Sequence, residues 1–241
     1  MYVYYVYSST AAGAARSVDS LVVRTESDKP QGISPPTISD IKERSVVASW
    51  GMPSRPNGII TRYELRSKRV PKNSGTSEIE VLHYTGLLRT SQVTGLDPFT
   101  VYSFSIAACT VVGCIRSSMG AAVSTRSAAP DSQPAPYVSL GTGGTSAVVT
   151  WDAPSQPNGE INFYDLYQRA SPFTGQGNSI GVQLKPENRT FQVTGLLPYT
   201  EYEFRIISQT SQVKGSTSSN WTRIRTLEGG MFSFCLVFVY M

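Results

Sequence analysis

The sequence predicts an all-β protein built of tandem seven-stranded antiparallel β-sandwiches, and three observations predict it. A block recurs at fixed spacing: Trp50-Gly-Met-Pro-Ser-Arg-Pro-Asn-Gly58 returns as Trp151-Asp-Ala-Pro-Ser-Gln-Pro-Asn-Gly159, an offset of 151 − 50 = 101. Just after that block the side chains alternate with period two, Tyr63 and Leu65 against Arg62, Glu64, Arg66 and Lys68, as in a strand with one face buried. The 241 residues hold 15 Pro and 20 Gly with only 16% charged side chains, a composition of many short strands joined by turns.

Taken in order, the opening residues fit the register of a repeat one hundred positions earlier. Tyr2, Tyr4, Val6, Gly13, Arg16 and Ser17 match Tyr102, Phe104, Ile106, Gly113, Arg116 and Ser117, and Val23 with Thr25 match Val123 with Thr125. Residues 1–30 therefore read as the C-terminal strands of an incomplete repeat, 31–128 and 129–228 as two whole repeats, and 229–241 as an apolar tail from truncation or splicing. Pro35-Pro36 and Ala129-Pro-Asp-Ser-Gln-Pro-Ala-Pro136 mark the junctions, where proline excludes helix. Ser45–Trp50 reads as a strand ending at a large buried ring, and Pro56-Asn-Gly58 as a turn in which Gly supplies the positive φ. Thr61–Lys68 and Val101–Ala107 read as strands whose inward residues are Tyr63 and Leu65, then Tyr102, Phe104 and Ile106. The second repeat follows the same plan, with Val193-Thr-Gly-Leu196, Pro198, Thr200, Tyr202, Phe204 and Ile206 at offset 100 from their counterparts.

A Trp closing the second strand, followed later by Gly-Leu-x-Pro-x-Thr-x-Tyr-x-Phe before a long strand, resembles the fibronectin type III family over about 200 of the 241 residues. The resemblance implies an immunoglobulin-like sandwich in which Tyr102 and Tyr202 are structural tyrosine corners, each hydroxyl donating to a backbone acceptor at the preceding turn. More narrowly, Pro-Ser-x-Pro-Asn-Gly-x-Ile with Ala108-Cys-Thr-Val-Val-Gly-Cys114 is similar to repeats of very long extracellular proteins of sensory cells. That similarity implies collagen or fibronectin of the basement membrane as partners and links between sensory-cell membranes. The second repeat departs from it, with Gln209 and Lys214 at the cysteine positions.

Catalysis has little to work with. The single histidine, His83, lies in a strand-like run with no nucleophile motif and reads as an exposed edge-strand side chain. Gly141-Thr-Gly-Gly-Thr-Ser146 lacks the lysine of a phosphate loop and precedes a strand, so it reads as a turn. No cofactor is expected, and no metal: Glu78 with Glu80 and Glu201 with Glu203 share strand faces without partner carboxylates, and Asp131 is the only linker aspartate. Cys109 and Cys114, too few for a zinc shell, read as a local disulfide that leaves Cys235 unpaired. With the sequons Asn188-Arg-Thr190 and Asn220-Trp-Thr222, the pair points to an oxidising, extracellular compartment, secreted or on an ectodomain.

Net charge is +4, with residues 31–128 carrying eleven Lys/Arg against six Asp/Glu. No nucleic-acid motif accompanies this excess. Arg62, Arg66 and Lys68 share one strand face, joined in the adjoining loops by Arg55, Arg69 and Lys72, and form a candidate site for sulfated glycans or else a solvated sheet face. The eleven apolar residues from Met231 fall short of the roughly 20 needed to cross a bilayer. The reading is a non-catalytic extracellular adhesion and spacer fragment that presents protein- or matrix-binding surfaces. Its alternatives are the ectodomain of a signalling receptor, of cytokine-receptor or receptor-tyrosine-phosphatase type, or a spacer in a secreted polysaccharide-degrading enzyme. Ser218-Ser-Asn-Trp-Thr222 only partly echoes the Trp-Ser-x-Trp-Ser of cytokine receptors.

Overall fold

The computed structural model of the protein describes residues 2–19, 22–71, 79–210 and 213–228; the readings of Lys72, Glu78, Cys235 and the tail 229–241 lie outside the described residues. Among these, all regular structure is β. The described residues fall into two compact units, one from 1–40, 45–94 and 101–123, the other from 41–44, 95–100 and 124–228.

The first unit opens with a hairpin, β1 (Tyr7–Thr10) and β2 (Gly13–Arg16). Next come β3 (Thr37–Ser39), β4 (Ser45–Ser49) and β7 (Thr90–Thr94), an antiparallel sheet in the order β3-β4-β7. The larger sheet contains β5 (Arg62–Arg69), β6 (Val81–Gly86), β8 (Val101–Cys109) and β10 (Val123–Ser124), ordered β10-β8-β5-β6, and β9 (Cys114–Arg116) also pairs with β8. The alternation legible in the sequence has a physical basis: Val46, Ala48 and Val93 from one sheet and Tyr63, Leu65, Phe104 and Ile106 from the other are buried. Each large apolar side chain so covered contributes about 1.5–3 kcal/mol. Trp50 joins the layers, its ring centroid 6.1 Å from Tyr63 and 5.6 Å from Tyr84.

The second unit repeats the plan with β11 (Tyr137–Leu140), β12 (Ala147–Thr150) and β15 (Thr190–Val193) in one sheet. The other comprises β13 (Ile161–Ala170), β14 (Asn178–Leu184), β16 (Glu201–Thr210) and β17 (Val213–Ser218), ordered β14-β13-β16-β17, with β18 (Thr222–Arg225) on β16. Ala147, Val149, Trp151, Tyr164, Leu166, Phe204 and Ile206 lie at its core. The glycine-rich stretch Gly141–Ser146 is the turn between β11 and β12, closed by Gly141 N–H donating to the Ser146 carbonyl at 2.9 Å.

Three local expectations are revised. In Pro56-Asn-Gly58 the glycine has the expected positive φ, 158°, but the left-handed residue is Asn57 at 50°, and in Pro157-Asn-Gly159 it is Asn158 at 53°. The amide side chain explains it: Nδ2 donates to the Lys29 carbonyl at 2.8 Å and to the Ala129 carbonyl at 2.9 Å. The threonine at the C-terminal end of the long central strand completes each clamp, Thr110 donating to Asp28 O at 2.9 Å and Thr210 to Ala128 O at 3.1 Å. Second, β8 is buried on both faces, because Ser105 and Ala107 stand opposite Arg66 and Glu64, whose half-buried side chains cover the outer face.

Third, the corner hydroxyl of Tyr202 is an acceptor: the Leu197 amide donates to it at 2.9 Å. Tyr102 is buried at the equivalent position. A second tyrosine of this kind, Tyr84, accepts from the Leu88 amide at 2.8 Å while its ring packs on Trp50. Tyr202→Phe keeps the ring but leaves the Leu197 N–H without its acceptor, a cost of about 1–3 kcal/mol. The urea midpoint should fall accordingly with an unchanged m-value.

Candidate functional site

The tip of the β8–β9 hairpin is a tightly constrained, exposed loop of the first repeat. Cys109 and Cys114 pair directly across the two strands, with Cα atoms 4.0 Å apart and sulfurs bonded, so Thr110–Gly113 is a four-residue loop closed by a covalent staple. Inside it the Thr110 N–H donates to Gly113 O at 2.9 Å and the Val112 N–H to Thr110 Oγ1 at 3.3 Å. Gly113 adopts φ 155°, and a Cβ there would stand 2.8 Å from Lys29 Cε. These bonds fix a backbone whose summit is apolar: Val111 is 80% exposed and Val112 50%. Beside the tip opens a polar groove of about 580 Å³ lined by Arg24, Glu26, Asp28, Gln31, Arg55 and Asn57. Its lining combines opposed charges with the hydroxyls of Thr25 and Ser27.

The basic stripe is not a row of free cations. Arg62 Nε lies 2.9 Å and Arg66 Nη2 3.3 Å from the two oxygens of Glu64, which is more covered than either arginine. The hydrogen bond from Arg62, reinforced by Arg66 against the opposing effect of burial, holds the Glu64 carboxyl below its ordinary range. Lys68, at the far end, is half-buried. Glu64, Cys109 and Cys114 place one potential metal-ligating atom each within 4.8 Å of one another, but both sulfurs are committed to the disulfide. Elsewhere on the sheet, Arg116 engages Glu80 at 2.6 Å.

His83 is also corrected. Its ring is half-buried, 6.5 Å from that of Phe104, and Nε2 is 2.6 Å from the hydroxyl of buried Ser67. A bulge between Leu65 and Arg66 in the β5–β6 pairing accompanies this inward turn, and burial pushes the imidazole below its ordinary value.

A cluster that sequence reasoning missed occupies the outer face of the second repeat. Trp221 lies between two guanidiniums, 4.3 Å from Arg169 and 4.6 Å from Arg205, and Phe173 lies 4.3 Å from Arg223. Glu203 receives Arg169 at 2.7 Å and Arg223 at 3.0 Å, and Glu201 receives Arg225 at 3.0 Å. The strand alternation already put Glu201, Glu203 and Arg205 on one face; the pairing of β13 and β18 with β16 supplies the partners. Arg169 also donates to Gly175 O and Arg205 to Gln176 O, each at 3.1 Å, so the ladder fastens the loop after β13.

Burial pushes the Glu203 carboxyl upward, but the hydrogen bonds and charges of Arg169 and Arg223 outweigh it and leave it below the ordinary range. A folded-state value beneath the unfolded one means stability that is fully present above the unfolded value of about 4.3. It is lost as pH falls through the folded value. Glu203→Gln should therefore flatten the acid limb of a melting-temperature-against-pH curve below about pH 4.3. An acid limb identical to that of the parent protein would refute the assignment.

The sequon residues Asn188 and Asn220 are both exposed, the first beyond the turn in which its N–H donates to Lys185 O at 3.0 Å, the second beside Trp221. Among the described residues no helix is long and apolar enough to cross a membrane.

Comparison with known proteins completes the picture. Over 229 residues, 92% of the chain, it is 31% identical to human usherin; over 93% it is 29% identical to human phosphatidylinositol phosphatase PTPRQ, and over 88% it is 27% identical to mouse neogenin. The chain spans only 4%, 9% and 14% of those proteins. The crystal structure of chicken CNTN1 FN1–FN3 domains superposes with a TM-score of 0.60 at 20% identity, covering 83% of this chain and 68% of that one, a likeness of fold. The sequence profile of the fibronectin type III domain matches residues 28–119 and 132–225, each with the Trp, the Asn clamp and the corner tyrosine described above, and the chain belongs to the fibronectin type III family.

Proposed function

We propose that this chain is a non-catalytic extracellular adhesion and spacer fragment, and that it recognises a protein or matrix partner through the stapled Val111–Val112 tip. The single observation that carries the reading is the combination at that loop of apolar exposure and a backbone held by a disulfide and three hydrogen bonds. Exposed apolar side chains gain from burial against a partner, and a preorganised loop loses little entropy on binding. The similarity to usherin favours collagen and fibronectin as the first partners to try. Sulfated glycans on Arg62, Arg66 and Lys68 have less support, because Glu64 already engages two of the three cations. The similarity to PTPRQ favours a second reading, a segment of a receptor phosphatase ectodomain. Coding sequence downstream separates them, since only the second requires a phosphatase domain on the same polypeptide.

Glycans on Asn188 and Asn220 belong to the extracellular reading; after expression in mammalian cells, glycosidase treatment should lower the mass, and an unchanged mass would count against secretion. The tip is tested by solid-phase binding to immobilised collagen and fibronectin. Val111→Asp with Val112→Asp should weaken retention by about tenfold or more at unchanged melting temperature. Equal retention by this variant would remove the tip from the reading. Replacing Arg62 and Lys68 by Ser should lower only salt-sensitive heparin retention, and no loss there would leave the stripe a solvated sheet face.

A further inference from the structure

The walls of the polar groove beside the β8–β9 tip are fixed by main-chain hydrogen bonds. Asp28 N–H donates to Asn57 O at 2.7 Å, and Gln31 and Arg55 exchange N–H···O bonds of 2.8 and 3.1 Å, so the segment 24–31 is laced to the β4–β5 loop. The second repeat laces the same two segments in the same way. Ala128 N–H donates to Asn158 O at 2.9 Å and Asp131 N–H to Gln156 O at 2.8 Å, while Asn158 Nδ2 holds Ala129 O as Asn57 Nδ2 holds Lys29 O. These contacts set the correspondence residue by residue, with an offset of 128 − 28 = 100 in the segment and 158 − 57 = 101 in the loop.

Charge is what differs. On that register Arg24, Glu26, Asp28 and Arg55 of the groove correspond to Ser124, Arg126, Ala128 and Gln156. The second repeat keeps the lacing with a different set of side chains, so these charges are not what holds the two segments together. Nor are they spent on one another. Among the described residues Arg24, Glu26 and Arg55 make no ion pair or side-chain hydrogen bond, and Asp28 Oδ1 accepts only the adjoining Lys29 N–H at 2.7 Å. All four side chains are exposed. Two guanidiniums and two carboxylates therefore line one preformed groove with their hydrogen-bonding capacity open.

We propose that this groove binds a polypeptide segment of a partner protein that carries an acidic and a basic side chain close together, the acid engaging Arg24 and Arg55 and the base engaging Glu26 and Asp28. Charge complementarity selects the class of ligand. A sulfated glycan is anionic throughout and would bring sulfates against Glu26 and Asp28, whereas a polypeptide presents both signs within a few residues. The guanidinium forks match a carboxylate in shape as well as in charge. Walls already fixed by main-chain bonds reduce the ordering cost of binding. The site lies in the segment 24–31 and the β4–β5 loop and shares no lining residue with the Val111–Val112 tip, so either reading can fail alone.

The test is selection of a phage-displayed library of random linear peptides on the 241-residue chain, against a comparison protein in which Arg24→Ser, Asp28→Ala and Arg55→Gln take the second repeat's residues and Glu26→Gln removes the last charge. The comparison protein should melt with the parent; a lowered melting temperature would make the charges structural and overturn the proposal. Peptides retained by the parent should hold an acidic and a basic residue near one another and bind it about tenfold or more tightly than the comparison protein, with the ratio shrinking toward unity as salt is raised. Peptides that bind both proteins equally overturn the proposal. Peptides with acidic residues alone, or heparin retention that the comparison protein loses, overturn the stated ligand in favour of a simple anion. A second variant tests the pairing directly: Arg24→Glu with Arg55→Glu should release a selected peptide, and exchange of that peptide's acidic residue for Lys should restore binding. Failure to restore it overturns the pairing of that acid with the two arginines.

Discussion

Everything in the molecule depends on covering one face of the long central strand. Tyr102, Phe104 and Ile106 on β8, and Tyr202, Phe204 and Ile206 on β16, are too large and apolar to be left in water, and their backbone needs hydrogen bonds on both edges. The neighbouring strands meet the second requirement, and the three-stranded sheet carrying Trp50 or Trp151 meets the first. The opening hairpin β1–β2 has the same pattern and is held by its own local hydrogen bonds.

Local clamps then fix how each repeat begins and turns. The asparagines of the two Pro-Asn-Gly segments hold the opening stretch of their repeats through side-chain amides, and Thr110 and Thr210 hold the same stretch from the other side. A left-handed asparagine is tolerated because its side chain recovers a hydrogen bond that a larger apolar residue could not. In the first repeat Thr110 also closes the loop that the Cys109–Cys114 bond staples, so one residue couples the repeat's start to its exposed tip. The second repeat, with Gln209 where the first has Cys109, keeps the clamp without the staple.

The charged residues show a division of labour that strand alternation alone does not reveal. Arg62 and Arg66 converge on Glu64, and Arg169 and Arg223 on Glu203, so much of the positive charge stabilises half-covered carboxylates on the outer sheet faces. Such pairs contribute more than exposed ones because the carboxylates are shielded from water and the arginine stems cover neighbouring backbone. In the second repeat the aromatic rings of Trp221 and Phe173 add a second attraction to the same guanidiniums and tie the loop after β13 into the sheet.

The sequence by itself determined the strands, the inward residues and the family. A period of two and an offset near one hundred leave few alternatives once Trp50, Tyr102 and their counterparts are in register. It also placed Cys109 and Cys114 close together, since only four residues separate them. What only the tertiary structure decided were contacts between strands far apart in the chain: Arg169, Glu203 and Arg223 meeting on one face, and the half-buried His83 against Ser67. The direction of the Tyr202 hydrogen bond belongs with these, for a local pattern names the residue but not which partner donates. The reason is physical. Alternation reports which side of a strand meets water, whereas ion pairs, bulges and donor direction depend on which strand lies alongside and in what register, and that is set only when the sheets assemble.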